Sequence, residues 1–291
     1  MTPACPHCSL DFENEPDRPK AVSFGRFYRR SDSRWVRRFR CRKCLRTFSL
    51  ATLHPCYGQN KRQLNEPVRR LLVSNVSQNR IAWILGINRK TVVRKFLFLA
   101  AQAEIRLQTS LATHLPSKVI EFDDMETFEH SKCKPVSITL AVESKTRKIL
   151  GLEVARMPAK GPLASISRRK YGLRPDERRE ARKALFRRLQ PLVCREADIK
   201  SDENPHYPRD VGKYFPRGTH KTFKGKRGCV VGQGELKKVV FDPLFSLNHT
   251  CAMFRANVAR LIRRTWCTTK RVDRLQAHLI LYAEFHNSTL I

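Results

Sequence analysis

Two groups of residues in this chain have the types and spacing of metal ligands. The first is made of thiols: Cys5-Pro6-His7-Cys8 and Cys41-Arg42-Lys43-Cys44 are two CxxC pairs. Each pair sets two thiolates on one side of a tight turn. Two such turns complete a tetrahedral site, so Cys5, Cys8, Cys41 and Cys44 are expected to hold a structural Zn2+. His7 and Cys56 are possible substitutes but are read as bystanders, and Cys133, Cys194, Cys229, Cys251 and Cys267 show no ligand spacing. The second group is made of carboxylates: Glu121-Phe122-Asp123-Asp124-Met125-Glu126 on one predicted strand and Ser201-Asp202-Glu203-Asn204 at the end of another. Carboxylate oxygens suit hard divalent cations such as Mg2+ or Mn2+. Adjacent strand residues point to opposite faces, so only one of Asp123 and Asp124 can reach a shared ion. Asp198, on the same strand face as Asp202, is a weaker alternative to it.

The elements that position these groups fall into three stretches. Residues 1–55 alternate aromatic and basic residues between the two CxxC pairs (Phe24-Gly25-Arg26-Phe27-Tyr28-Arg29-Arg30, then Arg34-Trp35-Val36-Arg37-Arg38-Phe39-Arg40), the pattern of a β-hairpin in a zinc ribbon. Residues 56–112 read as helices, from Leu64 to Val73, Ser77 to Leu85 and Asn88 to Ala101. The last two make a helix-turn-helix: Ser77 and Asn88 are N-caps, Gly86 supplies the turn, and Ile81, Ala82, Leu85, Val92 and Val93 form the inner face. Asn88, Arg89, Lys90, Arg94 and Lys95 are then expected to be free for DNA groove and phosphates. Residues 113–291 read as an α/β domain. Its strands are Lys118 to Asp123, a hairpin from Val136 to Glu143 and Lys148 to Val154, Ala197 to Asp202, and Thr219 to Phe223. A basic helical insertion occupies about 157–190, with helices near Val211 to Phe215, His249 to Arg264 and Val272 to Phe285. The fold class expected is therefore multidomain α+β.

Composition points to the partner. The 291 residues carry 58 Lys+Arg against 26 Asp+Glu, a formal charge of +32, and 41% hydrophobic residues, enough for real cores. That excess costs self-repulsion unless a polyanion offsets it, which makes nucleic acid the expected partner. No apolar run reaches the roughly 18 residues of a membrane-spanning helix, and no signal peptide opens the chain, so a cytoplasmic location with reduced cysteines is expected. In the insertion, Arg168-Arg169-Lys170-Tyr171 and the run Arg178 to Arg188 outnumber Asp176, Glu177 and Glu180. They are expected to clamp a duplex, against the plainer reading of a solvated helix with i,i+4 ion pairs.

Over nearly its whole length the chain resembles the DDE-type transposases of bacterial insertion sequences that combine a zinc ribbon, a helix-turn-helix and a ribonuclease-H-like catalytic core. The resemblance is sharpest at Phe122-Asp123-Asp124-Met125-Glu126-Thr127-Phe128-Glu129-His130, at Ser201-Asp202-Glu203-Asn204-Pro205-His206-Tyr207, and at Leu247-Asn248-His249-Thr250 followed by Arg255 and Arg260-Leu261-Ile262-Arg263-Arg264-Thr265-Trp266. It implies a first catalytic carboxylate on the central first strand, a second at the end of the fourth strand, and a third ligand at the start of a late helix. Those positions are Asp123, Asp202 and Asn248, holding two Mg2+ or Mn2+ ions, with Arg255 beside them to contact DNA phosphate. Asn248 stands where the family carries Glu and brings no charge; it could instead cap the helix that follows, leaving Glu235 and then Asp242 as alternatives. The resemblance further implies cutting and joining of double-stranded DNA, binding to element ends and target, a homo-oligomer on the DNA, and association with the bacterial nucleoid. The rival expectation is a non-catalytic, sequence-specific DNA-binding protein, and a nuclease without strand transfer shares the same site.

Overall fold

The computed structural model describes residues 3–7, 21–30, 33–224, 242–262 and 267–290. Among them lie eight α-helices and two β-sheets, giving a mixed α+β chain that divides into two compact units, Met1–Pro67 and Val68–Ile291. No helix among the described residues is long and apolar enough to cross a membrane.

The first unit is a three-stranded antiparallel sheet, β1 (Ala21–Arg29), β2 (Arg34–Cys41) and β3 (Thr47–Ser49). Among its described residues the core is very small: Cys5, Ala21, Phe39, Cys41 and Phe48 are buried together, with the Phe39 and Phe48 rings 5.8 Å apart. β1 is exposed from Ser23 to Tyr28 although it carries Phe24, Phe27 and Tyr28, and on β2 Trp35 is exposed while Val36, Phe39 and Cys41 are buried.

The division falls within α1 (Asn65–Leu72), and the second unit continues from it through α2 (Gln78–Ile84) and α3 (Arg89–Ala112). Ser77 and Asn88 accept the N–H groups of Arg80 and Lys90 and so start α2 and α3, as their types led one to expect. Gly86 between them has φ +59°, a left-handed turn that a side chain would strain. α3 runs well past Ala101. Its buried Leu99, Ala103, Leu107 and Leu111 recur every four residues, a stripe that packs on the last helix, α8 (Val272–Phe285). Phe96 meets His278 edge-on at 5.6 Å, and Arg106 Nε donates to Glu284 Oε1 at 2.7 Å. The helix-turn-helix therefore shares one hydrophobic core with the sheet that follows, rather than standing as a body of its own.

That sheet has five strands: β4 (Ser117–Phe128), β5 (Pro135–Glu143), β6 (Ile149–Arg156), β7 (Val193–Asp202) and β8 (Thr219–Phe223). Their order is β6-β5-β4-β7-β8. β5 runs antiparallel to both neighbours, while β4, β7 and β8 are parallel. Between β6 and β7 lie α4 (Leu163–Tyr171) and α5 (Arg178–Leu189); α6 (Tyr207–Tyr214) follows β7, and α7 (Phe245–Asn257) precedes α8. β5 is buried from Val136 to Val142, so helices must cover both faces of the sheet. Phe122 marks one face, packed on Phe186 of α5 at 5.0 Å and Tyr207 of α6 at 4.8 Å. α5 approaches so closely that a Cβ on Gly151 would sit 2.6 Å from Leu185. Glu121, one residue away on β4, marks the opposite face, and α7 docks there.

Candidate active site

Asp123 and Asp202 come together at the centre of the sheet. β4 and β7 pair in parallel with Glu121 against Lys200, and carrying that register two residues further puts Asp123 beside Asp202. Neighbouring strands lie about 4.8 Å apart, so the two carboxylates compete for one space. β7 ends at Asp202 while β4 continues to Phe128, so the edge of β4 beyond Asp123 is no longer covered by β7. Burial first, then the Asp202 charge, push the Asp123 carboxyl up to about 7. The Asp124 N–H at 2.6 Å and the Tyr207 hydroxyl at 3.0 Å, both donating to Asp123 Oδ1, pull the other way. Asp202 is also raised, by burial and by the charges of Asp124 and Glu203, against the Asn204 N–H that donates to it at 3.1 Å.

Asp124 points to the other face, as strand alternation requires. The Thr139 hydroxyl donates to it, and it lies 3.6 Å from the Arg182 guanidinium. Arg182 also holds Asp210 at 2.9 Å and is buried. The expectation that the cations from Arg178 to Arg188 form one exposed clamp is corrected here: Arg182 braces α5, α6 and β4 from within. Glu126 pairs with Lys160 at 2.9 Å, and Asp198 with Lys221 at 2.7 Å, so the weaker alternative to Asp202 is engaged elsewhere.

α7 is anchored to the same strand by a residue whose role was not legible in the sequence. Glu121 is 2% exposed, and its carboxylate accepts the Leu247 N–H at 2.9 Å and the Ser144 hydroxyl at 2.6 Å. A carboxylate on the free N–H groups of a helix start is favourable electrostatically. Next to Leu247 is Asn248, inside the first turn of α7 and exposed, so it does not cap that helix. The N-cap, Leu244, has no side-chain hydrogen bond to the helix; Asp242 forms the turn before it, where Oδ1 accepts the Leu244 N–H at 3.0 Å and Oδ2 accepts the Asn248 side-chain amide at 2.9 Å. Further along α7, the Cys251 thiol is raised to about 12, by burial first, with the Arg255 charge opposing and the Asp123 charge adding, which puts this helix beside Asp123. Arg255 is exposed on α7, and Glu235 lies outside the described residues. Among the described residues no third His, Cys, Asp or Glu joins Asp123 and Asp202 in a compact ligand cluster.

A cleft of about 440 Å3 opens beside Asp202, lined by Glu203, Asn204, Pro205 and His206 and by two cations of the insertion, Lys160 and Arg178. Arg168, Arg169 and Lys170 are exposed on the last turn of α4. On the helix-turn-helix, Asn88, Arg89, Lys90 and Arg94 are exposed, but Lys95 is only 4% exposed. Helical periodicity explains that correction: Lys95 lies three residues after buried Val92 and four before buried Leu99, so it falls on the inner stripe.

In the first unit, the sulfurs of Cys5, Cys41 and Cys44 lie within 4.8 Å of one another, a group that can hold a metal ion such as zinc. Leu45, with φ +58°, turns the chain so that its N–H donates to the Cys41 carbonyl while the Cys41 N–H donates to Arg46. Cys8 lies outside the described residues. No family model and no curated protein matches the sequence of this chain.

Proposed function

We propose that the chain is a DNA transposase: it binds terminal inverted repeats and catalyses divalent-metal-dependent phosphodiester hydrolysis and 3′-OH strand transfer on a ribonuclease-H-like core. The observation that carries this reading is the pair Asp123 and Asp202, side by side on neighbouring parallel strands of a strongly basic chain. Three features of placement support it. β4, the first strand of the sheet, is central; β7, the fourth, ends at Asp202; and Asn248 sits in the first turn of a late helix.

The donor set fits a divalent cation, because two crowded carboxylates held above their ordinary range are relieved by positive charge between them. Two Mg2+ or Mn2+ ions at Asp123, Asp202 and Asn248 would stabilise the entering and leaving oxygens of the displacement. The chain's own residues prepare that space. The Tyr207 hydroxyl fixes one Asp123 oxygen and leaves the other for a ligand. Glu121 ties the start of α7, and with it Asn248, to the strand that carries Asp123. Lys160, Arg178 and Arg255 offer positive charge for the DNA phosphates near the carboxylates, and Asn88, Arg89, Lys90, Arg94, Arg168, Arg169 and Lys170 offer contacts at a distance from them. Cys5, Cys41 and Cys44 would hold a structural Zn2+ in the N-terminal unit, with Cys8, which lies outside the described residues, the fourth ligand expected from its spacing. Joining two element ends calls for a homo-oligomer on the DNA, at the nucleoid.

The test is a gel assay with a labelled duplex of the element's own terminal repeat and a target plasmid, run with Mg2+, Mn2+ or EDTA. Metal-dependent nicking and joined product in the wild type, absent in Asp123→Ala, are expected. Nicking without joined product would leave a nuclease. Equal binding by both proteins with no cleavage in any metal would leave a sequence-specific DNA-binding protein, a reading that the uncharged and already hydrogen-bonded Asn248 favours.

A further inference from the structure

We infer that the β1–β2 ribbon of the N-terminal unit is a stacking platform for unpaired bases of single-stranded DNA. The pairing puts Tyr28 opposite Trp35 and Arg26 opposite Arg37. Residues directly opposite share a face, as do residues two apart on one strand, so these four side chains form one square patch. All four are exposed, Trp35 by 67% and Tyr28 by 49%. The two rings meet edge to face, 5.6 Å between centroids and 64° between planes, which holds them as a pair, and with Trp35 and Tyr28 as exposed as they are, ring surface away from that contact stays open. Large aromatics left open on a soluble surface mark a binding site when they cluster with charge.

The chemistry of the patch selects the occupant. In a duplex each base face is covered by its neighbours and only the edges are open in the grooves, so a flat ring gains nothing from it. An unpaired base offers both faces, and aromatic rings flanked by cations are what single strands stack on, the arginines meeting the phosphates. A second copy of the chain suits the patch poorly. Neither β1 nor β2 carries an acidic residue, so two such faces would bring four arginines together without an anion. The inference rests on the proposed function in one respect: DNA, rather than RNA, is the strand supplied.

The test uses the full chain in EDTA-free, metal-replete zinc buffer without Mg2+, so that no strand is cut. Trp35 is one of three tryptophans, and Trp83→Phe with Trp266→Phe leaves it as the sole reporter. Short oligo(dT) is expected to quench its fluorescence. In the otherwise native chain, Trp35→Ala is expected to weaken oligo(dT) binding by about tenfold, while Trp35→Phe retains most of it. Duplex binding stays unchanged in both variants, which also shows that they are folded. Removing Arg26 and Arg37 together should reduce the log–log salt slope for oligo(dT) by about 1.4. The inference is overturned by an absence of quenching, by equal losses for duplex and single strand, by tighter binding of oligo(rU) than oligo(dT), or by a concentration-dependent dimer that Trp35→Ala dissolves. Single-strand binding here with no cleavage in the Mg2+ or Mn2+ arms of the gel assay would keep the platform and sink the transposase; cleavage there without single-strand binding here would do the reverse.

Discussion

Between the ordinary carboxylate range and neutrality the folded chain holds a proton on Asp123 that the unfolded chain releases, because burial and the Asp202 charge raise that carboxyl to about 7. The native state then binds more protons than the unfolded state, so stability falls as pH rises from about 4 to about 7 and stays lowered above. The shift from 3.8 to about 7 corresponds to an upper limit on the order of 4 kcal/mol. In metal-free buffer, Asp123→Asn is therefore expected to raise the melting temperature at pH 8 by several degrees and to leave it unchanged at pH 4. Added Mg2+ should stabilise the wild type at pH 8 but not this variant, and it should lose all nicking. A variant with the same pH dependence as the wild type would be falsifying evidence against the electrostatic account. Glu121 carries the opposite kind of burden, since its two oxygens serve two donors, the half-buried Ser144 Oγ and the buried Leu247 N–H. Glu121→Leu removes both acceptor oxygens and leaves the buried Leu247 N–H unsatisfied, a cost of about 1–3 kcal/mol. Denaturant titration reads that loss. A fall in nicking with unchanged duplex affinity would show that the anchor acts through α7.

At the scale of elements, the exposed start of α3 and the end of α4 make separable predictions. Each lost phosphate contact should flatten the log–log salt dependence of duplex binding by about 0.9. Arg89→Ala, Lys90→Ala and Arg94→Ala combined should therefore lower the slope by up to about 2.7, and Arg168→Ala, Arg169→Ala and Lys170→Ala by a similar amount. Lys95→Met, on the buried stripe of α3, should leave it unchanged; a slope altered by that substitution would mean Lys95 reaches DNA. Lys95 shows what sequence made legible here and what it hid. The caps Ser77 and Asn88 and the Gly86 turn are local signals, read from neighbouring residues, and they position α2 and α3. The cationic type of Lys95 hides its place on the helical period, and polarity near Gln102 hides the length of α3, whose buried stripe narrows to one residue per turn beyond Ala100. Strand alternation likewise separated Asp123 from Asp124 correctly, because it is a property of one strand. Glu121 and Tyr207 were illegible for the opposite reason: their partners, Leu247 and Asp123, are distant in sequence, and nothing local marks the pairing. The start of α7 at Phe245, four residues before His249, has no side-chain cap to announce it in the sequence.

Across the whole molecule, the two units draw their stability from different sources. Val68–Ile291 has a large shared core that runs from Val68 and Ile81 through the sheet to Tyr282. Among its described residues the N-terminal unit buries Cys5, Ala21, Phe39, Cys41 and Phe48 together, and three thiols among or beside them face one another within 4.8 Å. So small a core rarely supplies more than about 3–5 kcal/mol even in a domain of 70–80 residues, so a metal held by those thiols would contribute most of the folding energy of that unit. Stripping zinc with a strong chelator is then expected to expose residues 1–67 to protease while a fragment starting near Val68 survives, with little loss of helical circular dichroism. Cys41→Ser should reproduce the chelated state without chelator, because it removes a buried thiolate from the group. The melting transition of the larger unit should remain where it was, and Asp123-dependent stabilisation by Mg2+ should persist in the chelated chain once excess chelator is removed. Loss of both units together on zinc removal would show that the larger core depends on the smaller one, and the division at Pro67 would then not be a division of stability.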